Sequence, residues 1–113
     1  KNGKSEKEYR DELFKLMQEN PELPVVPMVD YEIVVEDSGR WLGSWGSSYI
    51  GEYLLGEERV YFREDDDMYE VERALEEFID DGVFSGMSDE EAVKAYAGLP
   101  WIKAIIVNID LPE

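Results

Sequence analysis

The sequence predicts an α+β domain with two to three helices on one face of a mainly antiparallel sheet of about four strands. Three observations predict this class. Apolar residues follow helical spacing in two long stretches, alternate with polar residues in the middle of the chain, and form a nearly continuous run near its C terminus. At 113 residues the chain is long enough to bury a core without disulfides. We expect residues 1–10 to be an N-terminal extension and residues 11–113 to form a single domain.

The first helix is predicted to begin just after Ser5, because Glu8 follows it at the spacing of a capping box. Four apolar residues recur at helical spacing and form one stripe: Tyr9, Leu13, Leu16 and Met17. The helix should end near Asn20, since Pro21 disfavours a helical conformation in the residue before it. Residues 21–27 contain three prolines, which exclude a helix and a central strand and predict an extended connector.

The middle of the chain carries the patterns of strands and turns. Residues 28–36 alternate apolar and acidic side chains, as in a strand with one solvated face, and residues 37–39 predict a turn. A segment rich in aromatic residues and glycine follows, in which glycine indicates a bulge or a close backbone approach. It predicts two short strands joined or bent at residues 46–48. These two strands cover residues 40–45 and 49–55, and a further strand is predicted over residues 59–64.

The most acidic stretch, residues 64–81, also has helical spacing. It holds ten carboxylates against one basic residue, Arg73. Asp66 or Asp67 is expected to cap this helix, and Gly82 to end it. Its buried stripe is predicted from the apolar residues Met68, Val71, Leu75, Phe78 and Ile79. The outward face is predicted to carry Glu70, Arg73, Glu76, Glu77 and Asp80. Because like charges one turn apart are destabilising, packing of the stripe must hold this helix.

Two elements complete the predicted fold. Ser88 and Glu91 form a second capping box, which predicts a short helix that ends at Gly98. Residues 101–109 are apolar almost throughout and rich in β-branched side chains, as is typical of a central strand. The predicted order is therefore a helix, three or four strands, two helices and a final strand.

The composition restricts the possible chemistry. The chain has 28 acidic and 11 basic residues, a net charge of −17, and neither cysteine nor histidine. It therefore has no disulfide, no thiolate metal site and no imidazole base. No apolar run approaches the roughly 20 residues of a membrane span. We expect a soluble cytoplasmic protein that is not an enzyme and takes no cofactor. We also expect it to bind neither nucleic acid nor membranes, because its charge repels both.

Three groups of side chains are weighed as binding or catalytic sites. The three aspartates at residues 65–67 offer oxygen ligands to a divalent cation, but they lack the EF-hand spacing and lead directly into a helix. A helix cap with solvated charge is the better interpretation, so no metal site is assigned. With 28 acidic residues, carboxylate pairs arise by chance, and none is assigned as catalytic.

Four aromatic residues recur every four positions, which places them on one face of a strand: Trp41, Trp45, Tyr49 and Tyr53. They either pack in the core or form an exposed surface that binds a partner.

The outward carboxylates of the acidic helix are the main candidate. Carboxylates three or four residues apart on a helix are separated by about 5–6 Å, the same order as the spacing of charges along a nucleic-acid duplex. Such an array fits the basic groove of a nucleic-acid-binding protein, and a solvated face without a partner is the alternative interpretation. The predicted partner-binding residues are Asp65, Asp66, Asp67, Glu70, Glu76, Glu77, Asp80, Asp81, Trp41 and Trp45.

Three segments carry a resemblance to known sequences. They are DELFKLMQENPELPVVPMVD, WLGSWGSSYIGEYLL and LPWIKAIIVNID, at residues 11–30, 41–55 and 99–110. Together they resemble a family of small acidic proteins from phages and prophages of gut Firmicutes, which share an ELxxLMxENPxLPVVPMV opening, a segment of glycine and tryptophan, and a closing PWxKAIxV strand. The resemblance implies a phage origin and carries over no catalytic residue. Phages encode small acidic proteins that disable host nucleases, including anti-CRISPR and anti-restriction inhibitors.

Charge and resemblance together lead to an expected function. The chain is expected to be a phage-encoded acidic inhibitor that acts in the host cell cytoplasm. By mimicking DNA, it would bind the nucleic-acid-binding channel of a host defence nuclease, such as one of the Cas9 type. The alternative is a phage accessory or structural adaptor protein that binds a partner or itself through residues 41–55. In either case we expect a monomer or a homodimer.

Overall fold

The computed structural model describes residues 4–33, 39–57, 59–65 and 67–112, with the side chain of Asp81 excepted. The α+β class predicted from the sequence is confirmed. Within the described residues the elements follow the order α1 (Glu6–Glu19), β1 (Val25–Val29), β2 (Ser44–Leu55), β3 (Val60–Phe62), α2 (Met68–Phe78), α3 (Asp81–Phe84), α4 (Asp89–Ala97) and β4 (Ile102–Asp110).

The four strands form one sheet in the order β1-β4-β2-β3. It is mixed rather than purely antiparallel, because β1 runs parallel to β4 while β2 and β3 are antiparallel. The parallel register pairs Val25 with Ile105 and Val29 with Ile109. β4 lies between β1 and β2, so the prediction of a central C-terminal strand is confirmed.

The segment expected to be a connector forms the edge strand β1 instead, although it contains Pro27. The amide of Ile105 donates to the carbonyl of Pro24 at 2.8 Å, and the amide of Asp30 donates to the carbonyl of Ile109 at 2.9 Å. Because alternate residues of a strand point their backbone groups to opposite sides, even-numbered residues face β4 and Pro27 faces away. Its missing N–H therefore removes no bond of the ladder, as expected for proline on an edge strand.

The strand predicted over residues 28–36 is wrong in its position, because β1 already ends at Val29 and residues 31–33 form a turn. The side chain of Asp30 accepts a hydrogen bond from the amide of Glu32 at 2.9 Å. Its carbonyl accepts from the amide of Ile33 at 3.0 Å. This local pattern closes a turn and stops the ladder. Residues 34–38, which include the rest of that prediction and most of the predicted turn, lie outside the described residues.

The two strands predicted over residues 40–45 and 49–55 are one continuous strand, β2. A Cβ atom at Gly46 would lie 2.9 Å from the carbonyl oxygen of Asn108, so this glycine allows a close approach of two backbones. Gly39, in the loop before β2, has a φ of +88°, which suits the predicted turn. The strand predicted over residues 59–64 is shorter and is limited to β3.

Both predicted capping boxes are confirmed, at Ser5 with Glu8 before α1 and at Ser88 with Glu91 before α4. The predicted end of the acidic helix at Gly82 is wrong, because α2 ends at Phe78. The side chain of Asp80 accepts a hydrogen bond from the amide of Gly82 at 2.8 Å, and its carbonyl accepts from the amides that follow. These bonds begin the separate helix α3.

The chain divides into two compact units. The terminal unit comprises Lys1–Gly51 and Lys103–Glu113, and the central unit comprises Glu52–Ile102. The core of the terminal unit consists of Leu13, Ile105 and Val107, with Leu16, Leu23 and Ile109 packed against them. The buried core of the central unit consists of Tyr61, Val71, Ala74, Leu75, Ala92 and Tyr96. Of the stripe predicted for α2, Met68 and Ile79 are partly buried and Phe78 is exposed.

Candidate functional site

The acidic charge is concentrated in the central unit. Its sequence has 16 acidic and 4 basic residues, a net charge of −12, whereas the terminal unit has 12 acidic and 7 basic residues, a net charge of −5. These values account for the net charge of −17 of the whole chain. The central unit also contains every carboxylate that we predicted to bind a partner. We therefore follow its carboxylates one at a time.

The carboxylates at the start of α2 bind backbone amides. Asp67 is the N-cap, and its side chain accepts a hydrogen bond from the amide of Tyr69 at 2.9 Å. The side chain of Asp65 accepts from the amide of Asp67 at 3.3 Å. Asp66 lies outside the described residues. In the part of the chain that the structure describes, no group of three or more acidic side chains is placed to hold a metal ion.

Among the predicted site residues, Glu70 has its negative charge balanced by a basic side chain. It forms an ion pair with Arg59, and both side chains are more than half buried. The guanidinium of Arg59 also lies over the ring of Tyr69, with its Cζ atom 5.9 Å from the ring centroid. Because this ion pair is more than half buried, removal of either partner would leave an uncompensated charge and destabilise the fold. Glu70 therefore contributes to the stability of the fold more than to the negative charge of the surface.

Glu77 is held by two neutral donors from outside its own helix. Its carboxylate accepts a hydrogen bond from the amide of Glu57 at 2.5 Å and from the hydroxyl of Tyr61 at 3.2 Å. Burial raises the pKa of Tyr61, so its phenol stays protonated and continues to donate at neutral pH. The carboxylate of Glu77 is thus oriented by bonds that leave its negative charge in place.

Glu76 and Glu77 line a cavity of about 250 Å³ in the central unit, together with Glu57, Tyr61 and Arg73. Arg73 donates a hydrogen bond to the hydroxyl of Tyr69 at 3.1 Å, and this bond raises the pKa of Arg73. Its Cζ atom lies 5.6 Å from the centroid of the same ring. Three carboxylates and one guanidinium therefore border this cavity, which leaves it negative overall.

The last two predicted carboxylates, Asp80 and Asp81, lie at the start of α3. Asp80 accepts the hydrogen bond from the amide of Gly82 already described, which is a further neutral donor. The backbone of Asp81 begins α3, and its side chain lies outside the described residues. The first turn of α4 adds Asp89, Glu90 and Glu91, which the sequence reasoning did not assign to a site.

The structure brings Glu57 and Tyr61 to Glu77, and the sequence reasoning assigned neither to the site. They precede Glu77 by 20 and 16 residues. A helical or strand period relates residues only a few positions apart, so no sequence pattern points to this contact. The common feature of Asp65, Asp67, Glu77 and Asp80 is that neutral donors orient them.

The predicted aromatic residues Trp41 and Trp45 are neither fully buried nor fully exposed. Trp41, Trp45 and Tyr49 are each 38% to 40% exposed. Trp41 precedes β2, so it does not share the strand register that the four-residue spacing predicted. Trp45 borders a groove of about 350 Å³ in the terminal unit. The other residues of this groove lie on α1: Arg10, Asp11, Leu13, Phe14 and Met17.

The groove beside α1 was not predicted, because its residues are separated by about thirty positions along the chain.

No helix among the described residues has the length and apolar character needed to cross a membrane. Comparisons of the chain with protein-family models, with curated proteins and with solved structures found no match.

Proposed function

We propose that this chain is a phage-encoded acidic inhibitor that mimics DNA and binds the nucleic-acid-binding channel of a host defence nuclease. One observation carries the proposal: the central unit has a net charge of −12, and several of its carboxylates are oriented by neutral donors. A channel built for phosphates presents lysine and arginine side chains. Carboxylates that are already oriented lose less conformational entropy when they bind such a surface.

The proposed partner is a nuclease of the Cas9 type in the host cytoplasm. Such an enzyme holds its RNA–DNA duplex in a positively charged channel and recognises the backbone rather than the bases. A protein surface with fixed negative charges is able to compete for that channel without reproducing a base sequence. The charge also accelerates encounter with a basic surface, and this effect weakens as salt is added.

The experiment removes charge and keeps one side-chain acceptor oxygen at each position. The variant Glu76→Gln/Glu77→Gln/Asp80→Asn keeps an acceptor oxygen at each position and makes the central unit less negative by three charges. The matched control, Glu19→Gln/Glu22→Gln/Asp30→Asn, makes the same change in the terminal unit. We expect the central variant to lose inhibition of guide-loaded Cas9-type nuclease in a DNA-cleavage assay, and the control to retain it. Retention of inhibition by the central variant at both low and high salt contradicts the proposal.

The exposure of Trp41, Trp45 and Tyr49 supports a second candidate function. In it, the chain is a phage accessory or structural adaptor protein that binds a partner or itself through residues 41–55, and its charge serves solubility. Aromatic residues of this kind concentrate at interface hot spots. Replacing Trp41 or Trp45 by alanine then abolishes binding, whereas the charge-removing variant above retains it. Quenching of tryptophan fluorescence by iodide, measured in a Trp101→Phe background, reports whether a partner covers Trp41 and Trp45.

A further inference from the structure

The groove beside α1 exposes three large apolar side chains at one place. Phe14 is 60% exposed, Met17 is 43% exposed, and Trp45 borders the same groove. We propose that this groove is the interface of a homodimer, in which α1 of one protomer packs antiparallel against α1 of a second copy. The interface shares Trp45 with the second candidate function and does not rest on the proposed inhibitor function.

The distribution of charge favours a second copy as the occupant. Residues 4–19, which comprise α1 and its cap, have five acidic and four basic residues, a net charge of −1. The net charge of −17 acts against any acidic partner, a second copy included, so a contact between copies requires the nearly neutral surface of α1. A strongly basic partner is matched by the central unit rather than by α1. A nearly neutral surface that alternates both signs complements this groove. α1 of a second copy is such a surface.

The groove is also complementary to itself. Arg10 and Asp11 border it side by side, one basic and one acidic. In a two-fold interface, a contact from residue i to residue j occurs twice. An antiparallel pair of α1 helices therefore places each Arg10 near the partner's Asp11. With the crossing between residues 12 and 13, the rise of about 1.5 Å per residue offsets this pair by about 6 Å and the two Phe14 rings by about 5 Å along the axis. Both distances are within reach of these side chains.

The ion pairs within α1 do not prevent this exchange. Arg10 pairs with Glu6 and Lys7 pairs with Asp11, each across one turn of the helix. All four side chains are about half exposed or more. Exposed pairs of this kind contribute little to stability, so Arg10 and Asp11 are free to change partners when Phe14 and Met17 become covered.

The experiment exchanges charge between two separately purified variants. Arg10→Asp has two acidic residues at the crossing, and Asp11→Arg has two basic ones. We expect sedimentation equilibrium to show a wild-type dimer and self-association about tenfold weaker in each variant. We expect an equimolar mixture of the two variants to recover the wild-type affinity as a heterodimer. Phe14→Glu should abolish association, whereas Tyr31→Glu, an equal change at an exposed residue of the same unit, should not. Circular dichroism checks that each variant is folded.

Three results overturn this proposal. The first is a wild-type chain that stays monomeric from micromolar to millimolar concentration. This result overturns the proposal even if Phe14→Glu impairs binding to a different protein. The second is a dimer that Phe14→Glu leaves intact. The third is a mixture of the charge variants that associates no better than either variant alone. The variant that neutralises Glu76, Glu77 and Asp80 should dimerise normally, so failure of the inhibitor proposal and failure of this one are distinguishable.

Discussion

Among the described carboxylates, ion pairs predominate in the terminal unit and neutral donors in the central unit, although Glu8 and Asp30 of the terminal unit accept hydrogen bonds from amides and Glu52 and Glu70 of the central unit form ion pairs. In α1 of the terminal unit, Glu6, Asp11 and Glu12 are each paired with a lysine or an arginine of the same segment. In the central unit, Asp67 and Glu77 accept hydrogen bonds from amides and a phenol, and so keep their charge. The first arrangement neutralises charge in exposed pairs. The second orients charge without neutralising it, which is what a surface that imitates phosphates requires.

Each unit has its own buried core, and the two cores differ in size. The central unit buries six apolar or aromatic side chains in one cluster, while the terminal unit leaves Phe14, Met17 and Trp45 exposed around a groove. Exposed apolar side chains occur in both units, since Leu55, Tyr69 and Val83 of the central unit are exposed as well, but the groove that Phe14, Met17 and Trp45 border lies in the terminal unit. Substitutions in the two units should therefore differ in the size of their effects.

The largest effect is expected in the core of the central unit. Leu75 is fully buried there. Leu75→Ala should lower the free energy of unfolding by about 2–5 kcal/mol, since it removes a packed side chain and leaves a cavity. Leu42→Ala, at a strongly exposed position of the terminal unit, should change it by less than about 0.5 kcal/mol. Urea unfolding followed by circular dichroism measures both, and equal effects would contradict the core assignment.

The next effect is a loss of stability at alkaline pH. Burial raises the pKa of Tyr96 from the ordinary value of 10.0 to about 12, so the folded state favours the neutral phenol. Its contribution to stability is complete below pH 10 and is lost as the pH rises through about 12. The size is on the order of 2–3 kcal/mol. Urea unfolding across this pH range should show the loss in wild type.

Tyr96→Phe should remove that part of the pH dependence. It also removes the hydrogen bond that the Tyr96 hydroxyl donates to the carbonyl of Phe62 at 2.5 Å. Tyr31→Phe is the matched control in the terminal unit, because Tyr31 is strongly exposed. If the two variants follow the same pH profile, Tyr96 is not the group responsible.

A smaller effect is expected at the helix caps. Asp67→Ala should lower the free energy of unfolding by about 1 kcal/mol, because the amide of Tyr69 loses its acceptor. Ser5→Ala should have a similar effect in the terminal unit, where Ser5 caps α1. Asp67→Asn keeps the acceptor and removes the charge, so we expect it to be nearly neutral. An Asn variant as unstable as the Ala variant would show that charge, and not the hydrogen bond, is decisive.

The smallest effect separates local charge from net charge within the central unit. Glu72 and Glu76 are exposed like charges one helical turn apart. Glu72→Lys should raise the free energy of unfolding by about 0.2–0.5 kcal/mol, because it replaces repulsion by attraction. Glu90→Lys makes the same change in net charge but opposes the dipole of α4 in its first turn. Thermal melts should place Glu72→Lys above Glu90→Lys, and the reverse order would refute this account.

Local patterns in the sequence were sufficient for the elements whose signals lie a few residues apart. The capping boxes at Ser5 and Ser88 and the central strand β4 follow from helix-capping chemistry and from apolar periodicity. The same chemistry limited the cap of α2 to Asp66 or Asp67, and the structure shows that it is Asp67. The sequence also located the most acidic segment correctly, because net charge depends on composition alone.

Tertiary structure decided the features that depend on residues far apart in the chain. β1 is a strand because Pro27 faces away from β4, and β2 continues through Gly46 because the backbone of Asn108 lies beside it. No local period reports either contact, since each joins residues more than sixty positions apart.

The same holds for the candidate sites. Arg59 balances the charge of Glu70, whereas the hydroxyl of Tyr61 binds Glu77 and leaves its charge in place. The groove beside α1 exists because Trp45 reaches residues of a helix about thirty positions earlier. Composition and residue order are sufficient to give the number of charged and apolar residues and the segments in which they lie. Only the packing of distant segments decided which of those side chains are bound internally and which are left exposed, because that depends on distances between side chains and not on their order along the chain.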